Sequence, residues 1–381
     1  MAERQLSLEI DRAEDLGLTI GLNGAMMKSG CETSIMPKHK ICLVECWFGQ
    51  VSPWFDYYLR TCAANPGVSF LIFHDYPAPK DAPKNVRFLP LSRSQLEMKV
   101  ERLLHASVSL SSSLKICDLR PAFGVLFADH LVGADFWGYN DSDLFWGDIR
   151  RFVTDDILSR YDAVTACRTC MCGQFSLLRN SGPTKEAYRL IPGYVNALKQ
   201  LGPEYLDEQV LDEALISHGL KVYRKQLQVH DVGSVKWEEA ARELELREQG
   251  NLGAWFWEEG PCQWINGRLT HIASRSEAMF FHFRSWKKIW RDQRRVPRLG
   301  YWRQMKGFRI GENGLTPIFK PGKRWLVLLY WLRYFAPLRF GRSSDRLRKT
   351  GQRYGRGLQR RLAIKFPLGD SRCGDRKKLR S

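Results

Sequence analysis

Acidic residues are scarce in the last quarter of this 381-residue chain: from Arg284 to Ser381 there are 5, against 29 Lys and Arg. Over the whole chain 41 acidic residues face 59 basic ones, a net charge of +18. A body of net −6 therefore carries a C-terminal stretch of net +24, which makes the tail, and not the body, the part suited to nucleic acid or an anionic membrane. Long apolar runs are missing as well. The longest, Trp325 to Leu332, ends at Arg333 and is far too short to span a bilayer. The N-terminus has no basic segment leading into an apolar one, so no secretory address is expected. The ten cysteines are then expected to be reduced cytosolic thiols. Glycine-rich phosphate loops and Ser-His-Asp nucleophile signatures are absent, and so is any internal repeat.

What is present is a large apolar and aromatic content: 44% hydrophobic, with 13 Trp, 13 Tyr and 20 Phe. That is enough core for one large α/β domain or two smaller ones, and it excludes a wholly disordered chain. Residues 1–38 show no sustained periodicity and read as a flexible extension, with Met36 a candidate start. From Ile41 the pattern alternates. Near-continuous apolar strands are expected at 41–48, 68–73 and 86–89, with helices at 52–64 and 95–105 between and after them. Residues 111–132 are expected to be mostly helical, with Pro121 starting or kinking the second half. Further strands are expected at 136–139, 163–166, 174–178 and 221–229, and helices at 186–200 and 207–218. The Trp- and Glu-rich stretch 232–270 shows no clear pattern. Buried strands alternating with helices favour a parallel-cored sheet whose ligands sit beyond the carboxyl ends of the strands, at the loops after Phe48 and Phe73.

The chemistry concentrates at Asp141-Ser142-Asp143. Two carboxylates one residue apart at a strand end can converge on a divalent cation and, through it, on a diphosphate. An Asp-x-Asp is expected about once by chance in a chain of this length, and alone would be a solvated turn. Here it lies between the apolar runs 136–139 and 144–147, where carboxylates are costly unless paired or metal-bound. Cys167-x-x-Cys170-x-Cys172 has no fourth ligand at zinc spacing and reads as buried or incidental thiols.

The stretches Lys115-Ile116-Cys117-Asp118-Leu119-Arg120-Pro121-Ala122-Phe123-Gly124 and Phe136-Trp137-Gly138-Tyr139-Asn140-Asp141-Ser142-Asp143-Leu144-Phe145-Trp146-Gly147-Asp148 resemble bacterial glycosyltransferase-like proteins of the GT-A fold. Many of these are known only as domains of unknown function and lie among capsule and cell-surface polysaccharide genes. The resemblance runs from about Ile41 to Lys288, about two thirds of the chain. It implies an α/β fold with a GT-A type, Rossmann-like mixed sheet flanked by helices over 39–290, followed by a basic, partly helical extension over 291–381. It also implies that Asp141 and Asp143 hold a metal and the donor. In the run Phe281-His282-Phe283-Arg284-Ser285-Trp286-Lys287, His282 would complete the metal shell and Lys287 would bind the diphosphate. Phe48 and Asp75 would contact base and ribose by stacking and by accepting a hydrogen bond, the alternative being ordinary strand-end packing. Lys115 and Asp118, three apart on one helical face, would contact the donor, or else form an intrahelical pair. Leu206-Asp207-Glu208-Gln209 resembles the acidic segment beneath the acceptor. Glu208 would be the catalytic carboxylate and Asp207 its companion, although Asp207 also fits a helix N-cap and Glu208 a first-turn acid.

The function so implied is a metal-dependent glycosyltransferase using Mn²⁺ or Mg²⁺. It would transfer a sugar from a nucleotide-diphosphate sugar, a UDP-sugar foremost, to a hydroxyl of a cell-surface polysaccharide or glycolipid. Nucleotidyl transfer would use the same carboxylates but lacks its Gly-rich entry loop. The alternative is a non-enzymatic membrane- or nucleic-acid-binding protein acting through its basic tail, whose cations interleave with Trp286, Trp290, Trp302, Trp325 and Trp331. No recognisable nucleic-acid module accompanies the tail, so no specific nucleic acid is expected. Residues 323–335, and a second piece at 360–366, combine cations with aromatics as interfacial segments do. They equally suit a helical subdomain packed on the catalytic domain. The expected place is the cytoplasm, with peripheral attachment to the inner face of the cell membrane.

Overall fold

A computed structural model of the chain describes residues 37–319 except 111, 226, 231–260, 273–274, 285, 292–295, 297–304 and 312–313, together with 18–20 and 26–28. The membrane- or nucleic-acid-binding readings of 320–381, including the segments 323–335 and 360–366, lie outside the described residues. Among the described residues no helix is long and apolar enough to cross a membrane. Within the segment expected to be a flexible extension, β1 (Leu18–Ile20) pairs antiparallel with β2 (Met26–Lys28).

The strands expected from apolar runs form the centre of the fold. β3 (Ile41–Trp47), β4 (Val68–His74), β5 (Val86–Pro90) and β6 (Phe136–Asn140) are parallel neighbours in the order β6-β3-β4-β5. β9 (Phe175–Arg179) runs antiparallel beside β6, β8 (Ala163–Thr165) antiparallel beside β9, and β10 (Val222–Arg224) parallel to β8. This seven-stranded mixed sheet is flanked by helices, so the chain has the α/β class expected of it. Successive residues face opposite sides of the sheet. Cys42 and Val44, Leu71 and Phe73, and Trp137 and Tyr139 enter one core. Ile41 and Leu43, Phe70 and Ile72, and Phe136 enter the other. The helix Phe55–Ala63 packs Phe55, Tyr58, Leu59 and Cys62 into the second core. The helix Arg93–Leu104 opens on a capping box of Ser92 and Gln95 and buries Leu96 and Val100 in the first.

Several expected helices are broken, each for a local reason. Residues 112–130 make four short pieces, Ser113–Cys117, Arg120–Ala122, Phe123–Leu126 and Ala128–His130, with Pro121 inside the second. The stretch 186–200 divides into Ala187–Leu190 and Tyr194–Leu198 because Pro192 removes a donor and Gly193 takes φ +67°. The expected strand 221–229 is two strands in different sheets: β10, and β11 (Gln228–His230), which joins β15 (Phe280–His282) and β7 (Leu144–Trp146) in a three-stranded sheet.

The boundary at residue 290 needs revision. β16 (Met305–Gly311) and β17 (Gly314–Phe319) form a hairpin, and β16 pairs with β12 (Cys262–Ile265). With β13 (Arg268–His271) and β14 (Glu277–Ala278) they complete a five-stranded antiparallel sheet. A third core of Trp54, Tyr57, Phe145, Trp264, Trp290 and Phe308, among others, joins this sheet to the body. Residues 305–311 and 314–319 are thus part of the folded body, with Met305, Phe308 and Ile310 of β16 buried there across a register shift between Met305 and Gly307.

Gly138, in the middle of β6, lies hard against β9: a Cβ there would sit 2.2 Å from the Ser176 carbonyl oxygen and 2.6 Å from Leu177 Cδ2. The obstacle is backbone, which cannot swing aside. Gly138→Ala is therefore expected to destabilise the fold by about 1–3 kcal/mol or more, measured as a fall in the urea midpoint at unchanged m-value.

Candidate active site

The site forms where β6 ends. Asp141 and Asp143 follow directly on this strand, and the chain continues as β7 in the three-stranded sheet. β7 pairs antiparallel with β15, Leu144 opposite His282, and Phe283 N–H donates to the Asp143 carbonyl at 3.1 Å. That pairing carries His282 to Asp143 across a long sequence separation: Nε2 lies 3.4 Å from Oδ1. Lys287, on the short helix Lys287–Trp290, ion-pairs with Oδ2. Trp54 Nε1 donates to the Ser142 carbonyl at 3.1 Å and pins the turn. One ligand atom each of Asp141, Asp143 and His282 lies within 4.8 Å of the others. Two carboxylates and an imidazole on one small volume suit a hard or borderline divalent cation such as Mg²⁺ or Mn²⁺. Burial alone would push Asp143 up, but His282 and Lys287 outweigh it and hold its carboxyl well below the usual range. Burial lowers the His282 imidazole, and the neighbouring Asp143 carboxylate more than reverses this.

Arg120 ties this corner to the acidic segment further along the chain. Its guanidinium is buried, with Nη2 2.5 Å from Asp141 Oδ1 and Nη1 2.8 Å from Asp207 Oδ2. Nη1 also donates to the Gly173 carbonyl at 3.0 Å, and the cation lies over the Tyr139 ring at 5.3 Å. The Tyr139 hydroxyl donates to the Asp207 carbonyl at 2.8 Å. Asp207 is almost fully buried by these contacts, and burial pushes its carboxyl up. Glu208 is half-exposed. Its backbone sits at φ −110°, ψ −116°, between Tyr205 at φ +52° and the helix Leu211–Ser217. Burial, then Asp207 and Asp141, pushes its carboxyl up to about 7. Gly173 has no room for a Cβ: one would lie 2.7 Å from Arg120 Nη1, 3.3 Å from Asp207 Oδ2 and 3.4 Å from Glu208 Oε1.

The structure thus brings together Asp141, Asp143, His282 and Lys287 on one side and Asp207 and Glu208 on the other. Lys115 and Asp118 are elsewhere, and their expected donor contacts need correction. Both side chains are fully buried and form a 3.0 Å ion pair. Lys115 Nζ donates to the carbonyls of Ala197 and Gly202, while Asp118 accepts from the N–H groups of Glu204 and Leu206. The pair is a clamp on the segment leading into Asp207 and Glu208, with no face left for a ligand. Phe48 is half-buried beyond the end of β3, with the Arg93 guanidinium 6.0 Å from its ring centroid. Asp75, exposed, accepts from Gly49 N–H at 2.7 Å, and Gly49 takes φ +91°. This joins the loops after β3 and β4 into one rim.

Sequence reasoning missed Arg120, Gly173 and Glu45. Arg120 stood inside the quoted run 115–124, and a planar, always-charged fork next to a candidate carboxylate site was a usable signal. Gly173 carried none. Glu45 showed itself only as the one acidic residue in an otherwise apolar strand. It is fully buried behind Asn140, accepting from Tyr58 Oη at 2.7 Å and Asn140 Nδ2 at 3.2 Å. Its Oε1 has no hydrogen-bond partner among the described residues. Burial pushes its carboxyl up to about 7.

Two predictions follow from these placements. A carboxyl whose folded pKa exceeds its unfolded value binds more protons folded than unfolded, so stability falls as pH rises between the two values. For Glu45 that window runs from 4.5 to about 7, and the loss is on the order of 3 kcal/mol at its upper end. Glu45→Gln keeps the neutral shape, so its melting temperature relative to wild type is expected to rise from pH 5 to about pH 7 and then level off; a pH-independent difference contradicts the assignment. Lys115→Met leaves Asp118 buried and unpaired, and should cost about 3–5 kcal/mol of stability. Ligand affinity of the folded fraction, read by calorimetry, should stay within a few fold of wild type.

Among solved structures the chain is similar, at low identity, to three glycosyltransferases. The apo form of GlyE of Streptococcus pneumoniae is 10% identical over 64% of this chain and 54% of its own, with a TM-score of 0.35. The galactosyltransferase LgtC, in complex with donor and acceptor sugar analogs, is 10% identical over 64% of this chain and 87% of its own, with a TM-score of 0.34. Mouse xyloside xylosyltransferase 1 is 11% identical over 65% of this chain and 98% of its own, with a TM-score of 0.33. The chain spans about half the length of GlyE. No curated protein matches it in sequence. A family of unknown function, DUF6625, matches residues 43–309, from within β3 to within β16 and including every residue of the site, and the chain belongs to that family.

Proposed function

We propose that the chain is a metal-dependent glycosyltransferase of the GT-A type, moving a sugar from a nucleotide-diphosphate sugar to a hydroxyl of a cell-surface polysaccharide or glycolipid. The observation that carries this reading is the convergence of Asp141, Asp143 and His282 within 4.8 Å, with Lys287 on Asp143, at the carboxyl end of β6. Ligands of open α/β sheets sit beyond strand carboxyl ends, and the rim formed by Phe48, Gly49 and Asp75 lies at the same end of β3 and β4.

In this reading Asp141, Asp143 and His282 hold Mn²⁺ or Mg²⁺. The bound ion would supply Lewis-acid stabilisation of the leaving nucleoside diphosphate. Lys287 turns from Asp143 to a diphosphate oxygen, and Arg120 keeps the Asp141 carboxylate oriented while neutralising it in part. Phe48 offers a face for the base, and Asp75 an acceptor for a ribose hydroxyl. Glu208, with its carboxyl near neutrality, takes the proton of the acceptor hydroxyl as the new C–O bond forms. Asp207 acts through Arg120 and touches no substrate. A UDP-sugar donor, a lipid-linked acceptor and a place at the cytoplasmic face of the membrane complete the proposal. The support for the membrane lies in the composition of the basic tail.

Calorimetry and thermal shift with a panel of nucleoside diphosphates, with and without Mn²⁺, test it. UDP or another diphosphate at about 100 times its Kd should stabilise the protein by about 2.7 kcal/mol only when metal is present. Asp143→Asn, folded by circular dichroism, should abolish that gain. Glu208→Gln should keep nucleotide binding and lose about 10²- to 10⁴-fold in transfer. Failure of every nucleotide to stabilise folded wild type in Mn²⁺ would overturn the reading.

A further inference from the structure

Between β8 and β9 the chain makes a bend at 168–170 that places Cys167 and Cys170 together. Thr165 ties the two ends of the bend: its Oγ1 accepts from Cys167 N–H at 3.4 Å and donates to the Cys170 carbonyl at 3.2 Å. Thr169 Oγ1 lies 3.3 Å from Cys167 Sγ and 3.8 Å from Cys170 Sγ. Both cysteines are half-exposed, whereas Cys172 is buried and donates its thiol to the Phe175 carbonyl at 3.2 Å. We propose that Cys167 and Cys170 form a reversible thiol–disulfide site, oxidised by exchange with a small-molecule or protein disulfide.

The chemistry follows from the geometry of the bend. The thiolate of Cys167 attacks one sulfur of the incoming disulfide, whose S–S bond breaks and whose other sulfur leaves as a thiolate. Cys170 then loses its proton and attacks Cys167 Sγ, expelling the second thiolate. Two protein thiols are oxidised, one external disulfide is reduced to two thiols, and the two protons released protonate the leaving thiolates in water. Hydrogen bonds from Cys170 and Thr169 pull the Cys167 thiol down, while burial pushes Cys42, Cys117 and Cys172 up. Thiolate, not thiol, is the attacking form, so Cys167 is the entry point and Cys170 the resolving partner. The loop that would tighten on oxidation ends at Gly173, whose carbonyl holds Arg120 and where an added Cβ would lie 3.3 Å from Asp207 Oδ2 and 3.4 Å from Glu208 Oε1. Oxidation would therefore be felt at the acceptor side of the candidate site.

The test uses the full chain in buffers of reduced and oxidised glutathione, quenched with acid, alkylated and mapped by mass spectrometry. The expected product is an internal Cys167–Cys170 disulfide that dithiothreitol reverses. Cys170→Ser should instead trap glutathione on Cys167, while Cys167→Ser leaves Cys170 unmodified. At pH 6.5 iodoacetamide should label Cys167 at least about tenfold faster than any other cysteine of the folded protein. Oxidation spread evenly over the cysteines, glutathione captured first at Cys170, or no 167–170 bond in the most oxidising buffer would each overturn the proposal. None of these readouts requires sugar transfer, so their failure is distinct from failure of the proposed function.

Discussion

One buried guanidinium holds the site together. Arg120 pairs with Asp141 just past the carboxyl end of β6 and with Asp207 at the head of the acidic segment, two elements far apart in sequence. A buried charge of this kind contributes little net stability, yet removing either partner leaves an uncompensated ion. Its value here is registry. The Gly173 carbonyl and the Tyr139 ring fill the remaining sides of the cation, so the guanidinium has one seat, and both carboxylates must come to it. A Cβ at Gly173 would lie 2.7 Å from Arg120 Nη1, so a side chain there would press on the guanidinium in that seat.

The second constraint is topological. Asp143 and His282 meet only because β7 and β15 pair in one register, Leu144 opposite His282. A slip of one residue would turn the imidazole to the other face of the sheet. The register is held by what surrounds it: Phe145 and Phe283 stack at 4.7 Å in the third core, and Trp264 Nε1, from the five-stranded sheet, donates to the Trp146 carbonyl at 2.7 Å. The sheet that includes β16 and β17 therefore bears on the site although none of its residues enters it. The Lys115–Asp118 clamp does the same for the other half, fixing residues 202–206 so that Glu208 emerges beside Arg120.

Strands β3, β4 and β6 were legible because a strand buried on both faces must be largely apolar, and few other elements produce such runs; the edge strand β5 was legible from Val86, Phe88 and Leu89 alone. Asp141 and Asp143 were legible for the converse reason, as carboxylates where burial should forbid them. The helices over 112–130 and 187–198 were legible as helix-favouring composition but not as fragments, since tertiary packing overrides propensity once Pro121, or Pro192 with Gly193, interrupts the ladder. The Lys115–Asp118 pair could be seen as a pair, but its burial could not, because that depends on carbonyls of Ala197 and Gly202 some eighty residues away. The strands at 262–278 and 305–319 hid in polar and basic composition: in β13 and β16 only one face is buried, and alternation over so few residues is a weak signal against a charged background.

The charge balance of the site orders its events under the proposed function. Asp141, Asp143, Asp207 and Glu208 surround two permanent cations, Arg120 and Lys287, and the His282 imidazole, whose protonation depends on Asp143. Burial pushes the Glu208 and Glu45 carboxyls up to about 7, with Asp207 and Asp141 adding to it at Glu208, and burial raises Asp207 despite its arginine. A diphosphate approaching such a cluster meets repulsion that the two fixed cations do not cancel, since both are already engaged by carboxylates. Asp141, Asp143 and His282 would hold a divalent cation whose charge would offset the excess of carboxylates, leaving Lys287 available to a diphosphate oxygen. Under the proposed function donor binding would then follow cation binding, while burial, with Asp207 and Asp141 beside it, keeps Glu208 close to the protonation point a base for a sugar hydroxyl requires.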